Sequence, residues 1–286
     1  MATRSGRPRG RSQSSPQRAA SPSQRARTMP AGGRTGAVRL GGDRVEGRRA
    51  VRELLAAGRR RVRTVWIARG REPSPLLAEI EELASRGGVP VRLVDAERLQ
   101  REAGTDAPQG VVAVAEPVIA ADLDDLLRAP AALLVALDGV TDPRNLGAVV
   151  RSAETAGATG VVLERRRSPW LTPAAVKAAA GAVEYVPIAL VPGIATALDR
   201  ASRAGVWTVA LDSGGSTTVD ELSIADRPLV LVLGAEGRGL SRLVRERSDV
   251  VARIPLRGHL DSLNVSAAAA VACHQIARLR DAATDT

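Results

Sequence analysis

The sequence predicts an α/β protein with a parallel sheet, preceded by a smaller α/β module. From residue 131 onward, near-continuous apolar runs alternate with segments of helical periodicity. That pattern is typical of a parallel sheet whose two faces are both covered by helices. Before residue 118 the runs are shorter and are separated by Pro and Gly, which indicates a separate module. The 44% apolar content is enough for real hydrophobic cores.

The smaller module is predicted over residues 45–117. VEGRRAVRELLAAG at 45–58 predicts a helix ended by Gly58, and RVRTVWIARG at 61–70 predicts a strand. A second helix is expected at 73–88, with Pro at its start and Gly at its end. VPVRLVD, AERLQREAG and GVVAVAEP complete the module. The acidic, helix-like ADLDDLLRAP indicates that residues 118–130 form a linker.

The larger domain is predicted over residues 131–286. In open parallel sheets, ligands bind beyond the carboxyl ends of the strands. We therefore expect the loops after Asp138, Gly234 and Pro255 to meet at one site. The predicted strands are ALLVALD, GVVLE, EYVPIAL, GVWTVALD, PLVLVLG and DVVARIP.

The tail at 1–44 carries nearly all of the net charge of +10, since it holds ten Arg and one Asp. Rich in Ser, Pro, Gly and Arg, and without large apolar residues before Met29, it is predicted to be disordered. Three roles stay open: a polyanion-binding arm, an organelle transit peptide and a solvated spacer.

Cysteine usage and hydropathy exclude several classes of protein. Cys273 is the single cysteine, so neither an intrachain disulfide nor a cysteine-rich metal site is expected. No signal-type segment and no apolar stretch of membrane-spanning length is evident. These observations predict a cytoplasmic protein that uses no membrane.

Three polar loops follow predicted strands. They read DGVTDPRNLGAVVR from 138, LGAEGRGLS at 233–241 and IPLRGHLDSLNVSAAAAV at 254–271. The second loop has its glycines spaced G-x-x-G-x-G after a late strand, which disfavours the G-x-G-x-x-G turn of nicotinamide dehydrogenases. In order and spacing the three loops resemble the motifs of the SpoU/TrmH family of RNA ribose 2′-O-methyltransferases, within the SPOUT superfamily. VEGRRAVRELL at 45–55 resembles the ribosomal-protein-like RNA-binding domain that many members carry in front.

The resemblance implies a trefoil knot, in which the C-terminal segment threads a loop, and an S-adenosylmethionine pocket formed by the second and third motifs. Gly234, Gly237 and Gly239 would let the backbone approach adenosine closely. A homodimer is also implied, because the family pairs its knots to build each site. The residues assigned to the cofactor are Leu233, Gly234, Glu236, Gly237, Ile254, Leu256, Ser262, Leu263, Asn264 and Ser266.

The resemblance also implies a catalytic set of Asn145, Arg151, Glu236 and Asn264. Arg151 lies about 200° around the helix from Val149, so it points away from the buried stripe. Since a guanidinium stays protonated in proteins, we favour a role for Arg151 in holding phosphate and stabilising the developing alkoxide over the role of general base.

RNA contacts are predicted for basic residues near the loops, and for Arg144 and the loop at 164–169 the simpler interpretation is a solvated side chain. The residues are Arg144, Arg151, and Arg165 and Arg166 of the loop ERRRSP at 164–169. His259 is a weaker candidate for RNA contact.

Structural interpretations stay open for several of the site residues. Asn145 is a candidate helix N-cap, Asp138 and Asp142 are candidates for ordering the turn, and Glu236 is a candidate partner of Arg238. Cys273 and His274 are predicted to pack in a helix.

The function predicted is methyl transfer to a guanosine ribose of 23S rRNA. A sulfonium methyl donor carries its own electrophile, so no metal is needed, and no DNA partner is expected. The alternatives are a methyltransferase of the antibiotic-resistance type, a tRNA 2′-O-methyltransferase and an RNA-binding ribosome-assembly module without catalysis.

Overall fold

The computed structural model describes residues 37–70, 72, 74–166 and 168–284. The predicted disorder of residues 1–36 lies outside the described residues. For residues 37–44 the prediction of disorder is wrong, because Arg39–Gly41 form a strand that pairs with Val118–Ile119 and a second strand starts at Arg44. Within these residues the strands form sheets of two, four and seven strands. No helix in this described part is both long enough and apolar enough to span a bilayer.

The first part of the chain is built on the four-stranded sheet, with order β2-β5-β3-β4, and on the antiparallel pair β1–β6. Strand β3 is antiparallel to β5 and parallel to β4. In chain order the elements are β1 (Arg39–Gly41), β2 (Arg44–Glu46), α1 (Arg48–Ala57), β3 (Val62–Ala68), α2 (Pro75–Arg86), β4 (Val91–Val94), α3 (Ala96–Glu102), β5 (Val111–Ala115), β6 (Val118–Ile119) and α4 (Leu123–Leu127).

The helix predicted from residue 45 begins later than expected. Val45 pairs with Ala113 in the antiparallel ladder of β2 and β5, so the segment starts as a strand. Gly47 follows with a φ of 93°, and α1 starts only at Arg48. The predicted end is correct, because Gly58 adopts the left-handed conformation as C-cap.

The second part contains the seven-stranded sheet, in the order β11-β13-β10-β12-β7-β8-β9, and every pairing in it is parallel. The predicted parallel sheet is therefore confirmed. Its elements are β7 (Leu133–Asp138), α5 (Pro143–Thr155), β8 (Gly160–Glu164), α6 (Pro173–Ala179), a 3₁₀ turn (Ala182–Glu184), β9 (Ile188–Val191), α7 (Ile194–Arg203), β10 (Trp207–Leu211), β11 (Thr217–Thr218), a 3₁₀ turn (Val219–Glu221), β12 (Leu229–Gly234), α8 (Arg242–Arg247), β13 (Val250–Arg253) and α9 (Val265–Thr284).

Both faces of this sheet are buried, as its apolar strands require. Leu133, Val135 and Leu137 of the central strand β7 face a cluster that includes side chains of α5, α6 and α9. Leu134 and Ala136 of the same strand face a cluster with α4, α7 and α8. Each fully buried Val or Leu side chain contributes about 1.5–3 kcal/mol relative to an exposed one, so the sheet is a rigid support for the loops at its edge.

A group of polar contacts joins the two parts of the chain. The Arg60 guanidinium donates to both carboxylate oxygens of Glu184, at 2.8 Å from Nε and 2.6 Å from Nη2. It also donates from Nη1 to the carbonyls of Gly42 and Glu116, at 2.6 Å each. The side chains of Arg60 and Glu184 are only 10% and 1% exposed. We call this pair with its two carbonyl partners the seam cluster.

Candidate active site

The candidate site lies at the carboxyl edge of the seven-stranded sheet. Strands β7 and β12 are neighbours and run in register there, with Asp138 opposite Gly234. The Asp138 carboxylate accepts a hydrogen bond of 2.6 Å from the backbone N–H of Ser241. Asp138 therefore connects the first polar loop to the end of the second, a contact between loops that its interpretation as a residue ordering its own turn did not predict.

Helix α5 starts at this edge and positions Asn145. The N-cap is Asp142, whose carboxylate accepts from the N–H of Arg144 at 2.6 Å, and Pro143 occupies the first turn. The interpretation of Asn145 as the N-cap is therefore wrong. Because Asp142 already caps the helix, the amide of Asn145 is available for contacts between loops.

Three side chains from the three polar loops meet in one hydrogen-bonded cluster. Asn145 donates from Nδ2 to Glu236 Oε1 at 2.9 Å, and Asn264 donates from Nδ2 to Asn145 Oδ1 at 3.2 Å. Asn264 Nδ2 also donates to Glu236 Oε1. We call these three residues the site cluster. Its Glu236 is engaged by two amides, and no ion pair with Arg238 is found among the described residues.

Asn264 is held from a second direction. It precedes α9, and its Oδ1 accepts from the N–H of Ser266 at 2.9 Å, which is the contact of a helix N-cap. One side chain thus caps α9 through its oxygen and orients Asn145 and Glu236 through its nitrogen. The arrangement fixes the direction of all three amide and carboxylate groups.

The second polar loop folds back on itself between Ala235 and Gly239. These two residues exchange backbone hydrogen bonds of 3.1 and 2.8 Å. A Cβ on Gly234 would lie 2.3 Å from the carbonyl carbon of Gly239, so only glycine fits there. Gly237 and Gly239 have positive φ values of 76° and 63°. The glycines predicted to bring backbone close to a ligand therefore shape the loop itself.

A cavity of about 740 Å³ opens beside the site cluster, between the second and third polar loops. Nine of the ten residues predicted to bind the cofactor line it: Leu233, Gly234, Glu236, Gly237, Ile254, Leu256, Ser262, Leu263 and Asn264. Ser266 does not line it, and instead donates from its N–H and hydroxyl to Asn264 Oδ1.

One wall of this cavity was not predicted from the sequence, and it is formed by Leu211, Asp212 and Ser213 after β10. Asp212 Oδ1 accepts from Gly214 N at 2.9 Å and pairs with Arg245 Nη1 at 3.3 Å. The sequence did contain a pattern that could have predicted this wall. GVWTVALD ends in Leu-Asp as ALLVALD does, and both strands end at the same edge of the sheet.

Arg151 is not joined to the site cluster within one chain. It is exposed on α5, six residues after Asn145, which corresponds to about 9 Å along the axis and about 240° around it. No hydrogen bond or ion pair of its side chain is found in the described part of the chain. Arg151 shares one outward-facing stripe of α5 with the exposed Arg144 and Thr155 and the half-buried Ala148.

Helix α9 lies beside that stripe. Thr155 Oγ1 is 3.2 Å from His274 Nε2, and Val271 on the same side of α9 is 45% exposed. Cys273 is fully buried in the core, as predicted, and burial raises the pKa of its thiol to about 12. His274 therefore contacts α5 at the surface, whereas Cys273 is a packing residue.

Arg165 and Arg166 lie on the exposed loop after β8, the neighbour of β7. Their guanidinium groups take part in no hydrogen bond or ion pair within the described ranges, which leaves them free for phosphate. The described residues contain no group of three or more His, Cys, Asp or Glu side chains arranged to hold a metal ion.

Two family models match the sequence of this chain. The family model described as SpoU rRNA Methylase family matches residues 132–274. A second, RNA 2′-O ribose methyltransferase substrate binding, matches residues 44–119.

Two relatives illustrate the similarity in sequence. A protein of Mycobacterium avium named "Uncharacterized tRNA/rRNA methyltransferase" is 42% identical over 240 residues, which cover 82% of this chain and 77% of the relative. The 23S rRNA (guanosine-2′-O-)-methyltransferase RlmB of Pseudomonas putida is 36% identical over 245 residues, covering 83% and 97%.

Two solved structures illustrate the similarity in fold. The SpoU methyltransferase AviRb of Streptomyces viridochromogenes in complex with AdoMet has a TM-score of 0.68 at 30% identity, with 83% of this chain and 90% of AviRb covered. The AdoMet-bound rRNA methyltransferase of Sinorhizobium meliloti has a TM-score of 0.67 at 29% identity, with 82% and 87% covered.

Proposed function

Because this chain belongs to the SpoU family of S-adenosylmethionine-dependent RNA ribose 2′-O-methyltransferases, we propose that it methylates the 2′-hydroxyl of a guanosine in 23S rRNA. The observation that carries the proposal is the site cluster, in which Asn145, Glu236 and Asn264 from three distant loops meet beside one cavity. The P. putida relative, named for this reaction on 23S rRNA, supports the choice of substrate.

The cavity fits S-adenosylmethionine in size and chemistry. Its volume of about 740 Å³ lies within the range of about 300–1,000 Å³ typical of small-molecule sites. Apolar side chains such as Leu233, Ile254 and Leu263 line it for a flat ring, and backbone of the second loop supplies polar contacts. When bound, the cofactor supplies a methyl group on a sulfonium centre, ready for in-line displacement by a nucleophile.

The residues of the chain then have distinct roles. The site cluster holds the target ribose beside the methyl donor, since Glu236 fixes the orientation of both amides. Arg151 binds the adjoining phosphate and stabilises negative charge on the 2′-oxygen. This oxygen releases its proton to solvent and forms a bond to the methyl carbon, whose bond to sulfur would break to leave a neutral thioether. A preorganised donor of this kind typically contributes about 3–4 kcal/mol to the transition state. Arg144, Arg165 and Arg166 hold the RNA backbone.

A homodimer explains why Arg151 lies apart from the site cluster. The exposed stripes of α5 and α9 meet at Thr155 and His274 and include the exposed Val271. Pairing two copies through these stripes would bury Val271 and bring Arg151 of one protomer toward its partner's site cluster. Each site then needs both copies.

Three further features belong to the same proposal. The proposal includes a knotted C-terminal segment. Arg280 holds that segment in place by donating to the carbonyls of Ala131, Ala132, Ala225 and Arg227. The domain borders proposed are 45–117 for RNA binding and 131–286 for catalysis, with residues 118–130 as the linker. An rRNA substrate implies a cytoplasmic location.

The test is methyl incorporation by the purified full-length protein. It is incubated with methyl-labelled S-adenosylmethionine and, separately, with unmodified 23S rRNA, 16S rRNA and tRNA transcripts. We expect label in 23S rRNA and one alkali-resistant linkage at a guanosine. Label in 16S rRNA alone would show that the substrate is 16S rRNA and not 23S rRNA. No label in any transcript would contradict the proposed methyltransferase activity.

A tRNA substrate is the second candidate. It is favoured by the M. avium relative, whose name includes both tRNA and rRNA and whose identity to this chain is higher, at 42% against 36%. Label in tRNA without label in 23S rRNA would replace the first proposal by this one.

A further inference from the structure

An exposed tryptophan lies on the same sheet edge as the candidate site. The whole chain has three Trp, one Tyr and no Phe, so aromatic side chains are scarce. Trp170 is nevertheless 48% exposed, in the loop between β8 and α6. Leaving a large indole in solvent forgoes the burial energy that aromatic side chains usually contribute to folding. Its face is therefore available to a ligand.

The loop starts beside the site. Leu163 of β8 is opposite Leu137 of β7, so Glu164 is next to Asp138 at the carboxyl edge. After the loop, α6 crosses α5 close to the site cluster. A Cβ on Gly147 would lie 2.2 Å from the carbonyl oxygen of Ala175, and Gly147 is two residues after Asn145. Both ends of the loop that carries Trp170 are thus anchored near the site cluster.

The backbone around Trp170 is held firmly. Leu171 donates to the carbonyl of Leu40 at 2.9 Å and accepts from Gly42 N at 2.7 Å. Thr172 donates to the Trp170 carbonyl at 2.7 Å and caps α6 by accepting from Ala175 N at 3.3 Å. Because β1 leads into the first module, Trp170 lies where the two parts of the chain meet. Because the backbone that carries the indole is already ordered, a ligand that stacks there does not have to pay for ordering the loop.

The charge near Trp170 indicates the kind of ligand. Arg165 and Arg166 of the same loop are exposed and have no partner for their guanidinium groups among the described residues. The acidic residue at the start of the loop, Glu164, is only 8% exposed, and its Oε1 accepts from Ile194 N at 3.4 Å. The exposed surface therefore combines one aromatic face with free cations. A base stacks on the first and a phosphate pairs with the second.

We propose that Trp170 is a stacking site for an unpaired RNA base flanking the target nucleotide, with Arg165 and Arg166 on the adjoining phosphates. The inference rests on the proposed function, since the base that stacks on Trp170 belongs to the same RNA that is methylated. The site selects single-stranded RNA, because a base within a duplex does not offer its face to an indole.

The molecule supplies a matched control. Trp207 is 42% exposed, but it starts β10 at the amino edge of the sheet, opposite the candidate site. Trp170→Ala and Trp207→Ala remove indoles of similar exposure from the two edges. Trp170→Phe keeps an aromatic face, whereas Trp170→Leu keeps only apolar bulk.

The experiment measures KM and kcat for unmodified 23S rRNA, the Kd for S-adenosylmethionine, and the sedimentation of each variant. We expect Trp170→Ala to raise the KM for RNA about 5- to 100-fold, with the Kd for the cofactor unchanged. Trp170→Phe should recover most of the affinity and Trp170→Leu little of it. Trp207→Ala should match the wild type.

A second measurement reads the stacking directly. In a Trp66→Phe, Trp207→Phe background, Trp170 is the single tryptophan. A single-stranded adenosine oligonucleotide should quench its fluorescence, and the same strand within a duplex should quench it much less.

The outcomes separate this inference from the proposed function. If the wild type methylates RNA but Trp170→Ala keeps the wild-type KM, the stacking site is wrong and the function stands. If Trp170→Ala leaves RNA binding intact and shifts the monomer–dimer equilibrium, the stacking site is wrong and the indole belongs to an interface between copies. If the wild type transfers no methyl group to any RNA while the oligonucleotide still quenches Trp170, the base site stands and the proposed reaction is wrong.

Discussion

The seam cluster and the site cluster are both held together by side-chain hydrogen bonds, and they differ in how far their side chains are buried. Each joins residues far apart in the chain, with Arg60 and Glu184 separated by 124 positions and Asn145 and Glu236 by 91. The seam pair is almost entirely buried, and its guanidinium donates to four acceptors. Glu236 and Asn264 are exposed. A buried and fully partnered cluster stabilises the fold, whereas an exposed one keeps donors and acceptors for a substrate.

Removing the acid of the seam cluster should have the largest effect on stability. In a Glu184→Ala variant the Arg60 guanidinium stays buried without its counter-charge, which typically costs about 3–5 kcal/mol. We expect the free energy of unfolding, measured with urea, to fall by about that amount. The matched control is Glu246→Ala, which breaks the exposed pair with Arg242 and should cost less than about 0.5 kcal/mol. Equal losses for the two variants would contradict the role assigned to burial.

Removing Arg151 should have the reverse signature, a loss of activity without a loss of stability. Arg151→Ala is expected to lower kcat about 10²- to 10³-fold, because one preorganised donor at the developing alkoxide is lost. The urea midpoint should not move, since Arg151 is exposed and lacks a partner in the described structure. Arg203→Ala, on the exposed last turn of α7, serves as the control.

The Arg151→Lys variant distinguishes charge from geometry. A lysine keeps the positive charge and loses the planar fork of donors. Turnover near that of the wild type would show that the fork is not required.

Adding one methyl group to the second polar loop should damage the cofactor site. In Gly234→Ala the new Cβ would lie 2.3 Å from Gly239 C and 2.4 Å from Leu240 N, so the loop must shift. Strain of this kind costs about 1–3 kcal/mol, and we expect the Kd for S-adenosylmethionine in calorimetry to rise about 5- to 100-fold. Gly258→Ala, in the third polar loop, has open space around the new atom and should bind normally. Tight binding by Gly234→Ala would mean that the loop is not rigid.

The long elements and the edge that carries the site were predictable from the sequence. Six apolar runs predicted six of the seven strands of the parallel sheet. The seventh, β11, and the pair β1–β6 have only two or three residues each, too few for periodicity to be visible. The segment EYVPIAL was predicted as a strand from Glu184, but β9 begins at Ile188 because residues 182–184 form a 3₁₀ turn.

The contacts within the site were less predictable than its location. Motif resemblance named Asn145, Glu236 and Asn264, but no pattern shows that Asn264 both caps α9 and donates to Asn145. The N-cap of α5 was ambiguous because Asp142 and Asn145 are both residue types that cap helices. The pairing in the seam cluster could not be predicted from the sequence, because Arg and Glu usually lie at the surface and no pattern near either residue indicates burial. Arg60 and Glu184 meet only through tertiary packing.

The basic loop after β8 should contribute a modest, salt-dependent part of RNA affinity. For single-stranded RNA, each cation removed from a phosphate reduces the slope of log K against log salt by about 0.7, so Arg165→Ala with Arg166→Ala should reduce it by about 1.4. Filter binding at several KCl concentrations measures the slope, with Arg203→Ala as the control. A slope equal to that of the wild type would show that Arg165 and Arg166 are solvated and do not contact phosphate.

The last predicted effect is confined to alkaline pH and lies beside the seam cluster, at Tyr185. Its hydroxyl donates to Glu53 Oε2 at 2.7 Å, and burial together with this hydrogen bond raises the pKa of Tyr185 to about 12. An unfolded tyrosine titrates near 10, so the folded state holds the proton more tightly. The resulting stabilisation is complete below about pH 10 and is lost as the pH rises through about 12.

Tyr185 is the one tyrosine of the chain, so absorbance at 295 nm follows its ionisation alone. We expect a midpoint near 12 in the folded protein and near 10 in urea. Glu53→Gln should lower the folded midpoint, because the carboxylate charge that disfavours tyrosinate is gone. A folded midpoint near 10 in the wild type would mean that the Tyr185–Glu53 contact is solvated. The contrast between buried and exposed clusters would then depend on the Arg60–Glu184 pair and its carbonyl partners alone.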